Sequence, residues 1–266
     1  MRRRDVMALG AGGLLLGSRT ARADAATWAN IKETLFGARP LLDGSALIAL
    51  EAPVRAHDAA LVPVAIKALA PQAGEHAIKS IHLIIDENPA PLAGIFRLGP
   101  KSVDATISTR VRVNEYTMMH AVAETADGKL WMVERFVKAA GGCSAPAQKD
   151  AELALARLGK MKLRELTPAV PGMPTTVELL ISHPQYTGMQ IDQLSRNWIP
   201  PDYIRTIKIT QGGESVLEVE SDISLAEDPA LTFTLVAGSK REPLEVVVED
   251  TEGRLFRQSW NLGSTS

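Results

Sequence analysis

The amino-acid sequence predicts an all-β protein, with two β-sandwich domains joined by a short helical linker. Three observations carry this reading. Apolar residues alternate in runs of strand length through most of the chain. Two-residue turn signals separate paired runs. One stretch rich in Ala, Leu, Lys and Glu lies between two strand-rich halves. The chain has 266 residues, enough for each half to bury its own core. Aromatic residues make up only 5%, so Val, Ile, Leu and Ala must fill those cores.

Residues 1–23 have the order of a secretory signal. Arg2-Arg3-Arg4 precedes an apolar run from Val6 to Gly17, and Ala21-Arg22-Ala23 supplies a small-residue cleavage site. The paired arginines point to the Tat route, a mature start at Asp24 and a periplasmic location. The run is shorter than the roughly 18 to 20 residues that span a bilayer, and no later stretch is longer, so no membrane span is expected. Removing residues 1–23 moves the net charge from −2 (29 basic, 31 acidic) to −6 (24 basic, 30 acidic). No Lys/Arg run follows. Nucleic acid is therefore not an expected partner, because that affinity depends on phosphate neutralisation.

The first half, residues 24–146, opens with a helical stretch from Ala26 to Phe36, stopped by Gly37 and Pro40. Ala46–Leu50 and Val62–Leu69 are apolar runs of strand length. Ile81, Leu83 and Ile85 alternate with His82, Ile84 and Asp86. Ile107, Val111 and Val113 share one strand face, with Ser108, Arg110 and Arg112 on the other; this reads as a solvated face, the alternative being that Arg110 and Arg112 steer an anionic group towards Cys143. Asp127-Gly128 joins Tyr116–Thr125 to Lys129–Val137 as a hairpin. The linker, residues 147–174, reads as a helix from Ala147 to Leu166, ended by Pro168, Pro171, Gly172 and Pro174 as a stiff connector. In the second half, residues 175–266, Val177, Leu179 and Ile181 alternate inward, as do Leu231, Phe233 and Leu235. Gln211–Glu214 and Glu252-Gly253 supply two more hairpin turns.

Cys143 is the single cysteine. In an oxidising compartment structural cysteines come in pairs, so one alone suggests an intermolecular bond or a reactive thiol. The alternative is a buried cysteine acting as a small hydrophobe. Gly141 and Gly142 before it and Pro146 after it argue for an exposed, mobile segment, with a thiol that reacts like a small-molecule thiol. Lys138 or Lys149 would assist by favouring the thiolate. No catalytic residue, metal or cofactor is expected. His57, His76, His82, His120 and His183 lack metal-ligand spacing, and no histidine lies within twenty residues of Cys143 to make a thiol enzyme. Asp86 and Glu87 would face opposite sides of a strand, and Asn88-Pro89-Ala90-Pro91 reads as a turn or edge loop. His183, before Pro184 in a loop, reads as a structural or interface residue rather than a metal ligand.

The chain resembles a fusion of SoxY and SoxZ, the two subunits of a periplasmic sulfur-intermediate carrier. The first half is SoxY-like in Ile81–Pro91, Phe96, Asp127-Gly128-Lys129 and the run from Val137-Lys138 to Gly141-Gly142-Cys143. The second is SoxZ-like in Leu180–Pro184, Thr187-Gly188 and Ile199–Ile204. The resemblance implies immunoglobulin-like sandwiches that pair within one chain. It implies a carrier rather than an enzyme, with Cys143 as the attachment point for a sulfur intermediate on an arm flexed by Gly141 and Gly142. It also implies partner enzymes of a sulfur-oxidation or quinoprotein dehydrogenase system. A non-covalent docking module for such a dehydrogenase or its cytochrome is the alternative. One departure stands out: the SoxY pattern ends in glycines after its cysteine, whereas here Ser144-Ala145-Pro146 lead into the second half.

Overall fold

In a computed structural model of the protein, the described residues are 17–146, 151–239 and 242–263, and the chain divides into two units after Gly37. The first unit is helix α1 (Gly17–Phe36), closed by the Gly37 amide donating to the Glu33 carbonyl. It ends where the sequence predicts. It begins earlier, running through the predicted cleavage site, while residues 1–16 of the predicted signal lie outside the described residues. Among the described residues no helix is long and apolar enough to cross a membrane.

The second unit, Ala38–Ser266, is all-β, as predicted, with two immunoglobulin-like sandwich halves. The first half holds β1 (Leu41–Asp43), β2 (Ile48–Glu51), β3 (Val62–Ala68), β4 (Ile78–Ile85), β5 (Leu92–Leu98), β6 (Ile107–Val111), β7 (Thr117–Thr125) and β8 (Leu130–Val137). Helix α2 (Ala151–Arg157) follows. The second half holds β9 (Met161–Glu165), β10 (Pro174–Ile181), β11 (Ile204–Gln211), β12 (Glu214–Ser221), β13 (Ala230–Val236), β14 (Leu244–Asp250) and β15 (Leu255–Trp260). Period-two burial accounts for many of these strands. In β10, Thr175, Val177, Leu179 and Ile181 are buried between half-exposed neighbours, and β13 alternates in the same way.

The two halves share both sheets. A nine-stranded sheet runs β1-β8-β7-β4-β5-β12-β11-β14-β15, and a six-stranded sheet runs β2-β3-β6-β13-β10-β9. The halves meet where β5 pairs antiparallel with β12, from Leu98 opposite Leu217 to Gly94 opposite Ser221, and where β6 meets β13. In an isolated half, β5 or β12 would be an open edge with unpaired amides and carbonyls, and their pairing closes both edges at once. One buried apolar cluster passes through the junction, from Ile66, Ile81 and Phe96 to Leu217, Val219 and Val246.

Two expectations change. The helix predicted to Leu166 stops at Arg157, and Met161–Glu165 is a strand paired antiparallel with β10. Gly159 enforces the break. Its φ is +72°, and a Cβ there would meet the Phe256 ring at 1.9 Å. The sequence Lys-Leu-Arg-Glu suits a helix, but Met161 is buried and Leu163 packs on the core, so tertiary pairing overrides propensity. Consequently Pro168–Pro174 is not a connector between halves but the turn between β9 and β10. Strands β1 and β5 were not anticipated.

If the chain is divided between Ala147 and Ala151 and the two pieces are co-expressed, they should co-elute on gel filtration at micromolar concentration. Each piece alone should aggregate through its opened β5 or β12 edge.

Candidate functional site around Cys143

The site forms where the first half hands over to the second. β6 ends at Val111, and the next residues are clamped from several sides. The Arg112 amide donates to the Ser224 carbonyl at 2.8 Å, and the Val113 amide donates to Ala59 at 2.8 Å. Buried Asn88 ties this exit together. Its Nδ2 donates to the Arg112 carbonyl (2.8 Å) and to Ser224 Oγ (2.9 Å), while its Oδ1 accepts from the Asn114 amide (2.8 Å). Ser224 Oγ in turn donates to the Ala90 carbonyl. The predicted turn Asn88–Pro91 is thus tied into the junction between the halves through buried Asn88 and the Ala90 carbonyl, with Pro89 exposed.

On this floor lies the Cys143 loop, and the structure corrects the reading of an exposed thiol: Cys143 is 0% exposed. The glycines are there for close approach. Gly141 adopts φ +80° and its amide donates to Asn114. The Gly142 amide donates to Val113, and a Cβ on Gly142 would lie 2.1 Å from the Ala59 carbonyl oxygen. From the second half, Thr187 Oγ1 donates to the Cys143 carbonyl at 2.6 Å, and Gln190 Nε2 donates to the Ala145 carbonyl at 3.0 Å. Thr187 and Gln190 are themselves buried and linked, since the Thr187 amide donates to Gln190 Oε1. Of these two, sequence reasoning noted only Thr187, within the SoxZ-like pair Thr187-Gly188.

Arg112 also departs from expectation. It is 1% exposed rather than on a solvated face, because the Cys143 loop and the segment Ile223–Asp228 close over it. Its Nη1 donates to the Gly142 carbonyl at 3.1 Å, while Nε and Nη2 find no acceptor among the described residues. Arg110 is half-buried and donates to the Asp228 carbonyl. Burial pushes the Cys143 thiol up to about 11 against the opposing pull of Arg112. Lys138 does not figure in that balance, and Lys149 lies outside the described residues. Half-buried Glu227 is pushed up to about 7 by burial, with Arg112 pulling the other way.

Sequence spacing also missed a polar cluster in the second half. His183, Asp202 and Asp250 bring one ligand atom each to within 4.8 Å of one another. Arg254 fills that space, donating through Nε to Asp250 at 2.6 Å and through Nη2 to both oxygens of Asp202. Burial pushes His183 down, towards the neutral form. The cluster is an internally compensated ion network. His183 holds the backbone nearby, accepting from the Gln185 amide through Nδ1. In the first half, buried His120 pairs with Asp86 at 3.0 Å.

Residues 32–143 match the family model "Sulfur oxidation protein SoxY", a match that ends on Cys143, and residues 163–261 match "Sulphur oxidation protein SoxZ". The chain joins a SoxY domain to a SoxZ domain. As a fused SoxYZ-like chain it has the make-up of a sulfur carrier of sulfur oxidation. No curated protein matches it significantly. Among solved structures, it is similar to the sulfur carrier protein SoxY from Chlorobium limicola f thiosulfatophilum, at 25% identity over 45% of this chain and 98% of that one, with a TM-score of 0.38. A β-glycosidase from Bacteroides vulgatus matches at 9% identity over 81% of this chain and 24% of that one, with a TM-score of 0.22.

Two outcomes follow from the SoxYZ site. A thiol pushed from 9 to about 11 has about a hundredfold less thiolate at pH 7. Cys143 in the folded protein should therefore react with a thiol reagent at least about a hundred times more slowly than in guanidinium, with the rate climbing steeply towards pH 11. Glu227 is raised in the fold, so its contribution to stability is complete below about 4.5 and is lost as pH rises through about 7. Glu227→Gln should raise the melting temperature at pH 8 by a few degrees and leave it unchanged at pH 4.5.

Proposed function

We propose that this fused SoxYZ protein is a periplasmic, non-enzymatic carrier. It holds a sulfur intermediate covalently on Cys143 and presents it to partner enzymes of a sulfur-oxidation system or of a quinoprotein dehydrogenase system. The observation that carries the reading is the placement of the single thiol. Cys143 lies at the seam of the SoxY and SoxZ halves, on a loop that the second half grips through two side-chain bonds, from Thr187 and Gln190. A net hydrogen bond of this kind contributes about 0.5–1.5 kcal/mol. Two such bonds tie the loop to the second half, and a partner's surface can replace them. The seated loop shelters the thiol, and release exposes it for loading or transfer. Gly141 and Gly142 serve as pivots once their contacts with Asn114, Val113 and Ala59 are broken. We place the boundary between the domains after Pro146, with β9 in the second domain.

Burial of Cys143 favours a second reading, in which the thiol packs the seam and the protein is a non-covalent docking module for a quinoprotein dehydrogenase or its cytochrome. Exposed Leu194 and Trp198, 95% and 66% accessible, lie in the stretch after Gln190 and would suit such docking.

Intact mass of the protein taken from its native periplasm separates the two readings. A carrier shows a sulfur adduct on Cys143, and a docking module shows the free thiol. Cys143→Ala should fold and should reduce pathway activity to background. Activity at the wild-type level would overturn the carrier reading.

A further inference from the structure

The Arg112 guanidinium is almost fully buried, yet it spends one of its three nitrogens on the Gly142 carbonyl and leaves the other two without an acceptor among the described residues. Arginine remains charged, and a buried cation with open donors is costly unless an anion meets it. Glu227, Cys143 and Asp58 act on it through charge, but none of them accepts a bond from Nε or Nη2. Cys143 is a neutral thiol in the seated loop, and Glu227 is only half-ionised near neutral pH. The Arg112 backbone is held by Asn88 and Ser224, and that of Val113 by Ala59, so the side chain is pre-positioned rather than free to swing out. A planar fork of N–H donors matches two oxygens of an oxyanion.

Building on the carrier reading, we infer that Arg112 is an oxyanion receptor: with the loop seated, its Nε and Nη2 donors bind the negatively charged end of a sulfonate-type group attached to Cys143. The open donors of the guanidinium are then met directly only when the carrier is loaded. A sulfonate or thiosulfonate adduct is retained in the seated state, and a neutral adduct of similar size gains nothing from Arg112.

The test uses the full chain, whose single cysteine allows selective loading. Because Cys143 is buried, the reactions are run long and at raised pH, and the products are studied at pH 7. Tetrathionate gives the anionic adduct. The Cys143 thiolate attacks an inner sulfur, forming Cys–S–S–SO3−, and thiosulfate leaves with the electron pair of the broken S–S bond. Methyl methanethiosulfonate gives the neutral adduct: the same thiolate forms Cys–S–S–CH3 and methanesulfinate leaves. Melting temperatures of the two adducts are then compared. The anionic adduct should melt several degrees above the neutral one in the wild type. The gap should shrink in Arg112→Lys, which keeps the charge without the fork, and vanish in Arg112→Gln. If Arg112→Gln does not fold, the wild-type and Arg112→Lys comparison decides. Equal melting of the two adducts in the wild type, or a gap unchanged in Arg112→Lys, overturns the receptor. Both adducts are made chemically, so this result stands apart from whether the native protein carries sulfur.

Discussion

The ladder between β5 and β12 is the constraint on which the rest of the molecule depends. It converts two half-sandwiches into a continuous nine-stranded sheet, and with it the β6–β13 contact extends the second sheet across the same line. The main-chain hydrogen bonds fix the register of one half against the other to a single residue step, because a slip of one would turn every inward side chain outward. The surface pair Arg97–Glu220, at 2.7 Å, lies along this ladder but is half exposed and contributes little. Backbone pairing and the shared apolar cluster do the joining.

Such a fixed register allows a polar seam to be built from parts distant in sequence. Asn88 from the β4–β5 turn, Ser224 from beyond β12 and the backbone after β6 complete one another's hydrogen bonds. Buried polar groups of this kind are tolerable only when nearly all are satisfied. Beside this satisfied cluster, Arg112 keeps two buried donors, Nε and Nη2, without an acceptor among the described residues. The ion network of Asp202, Asp250 and Arg254 in the second half differs: there the guanidinium bonds both acids through Nε and Nη2.

Much of the strand pattern was legible in the sequence because burial on one face writes itself as alternation. β3, the β7–β8 hairpin and the β11–β12 hairpin lie within a residue or two of their expected bounds. β5 escaped notice because Gly94 and the preceding prolines mask its apolar character, and what makes it a strand is its partners on both sides. β9 was misread for the opposite reason, since its residues suit a helix. At the site, the type and position of the thiol were readable, but its burial was not. Gly141 and Gly142 look like freedom in one dimension and are close packing in three. Arg112 looked solvated because the groups that cover it come from thirty or more positions away, in the Cys143 loop and the Ile223–Asp228 segment.

The departure after Cys143, where the chain runs on towards β9 instead of ending, sets a length scale. Lys138 is the last residue before the loop bonded to the β2–β3 connection, through the Val54 carbonyl. An extended chain advances about 3.3–3.6 Å per residue, so a loop peeled back to Lys138 carries its sulfur no more than about 18 Å from that anchor. The downstream strand holds the other end, so the excursion follows an arc about two fixed points instead of sweeping a sphere. A free-ended arm can thread a narrow channel tip first. A looped one arrives side-on with two strands of backbone, and any enzyme that receives it must present a cleft wide enough for a hairpin.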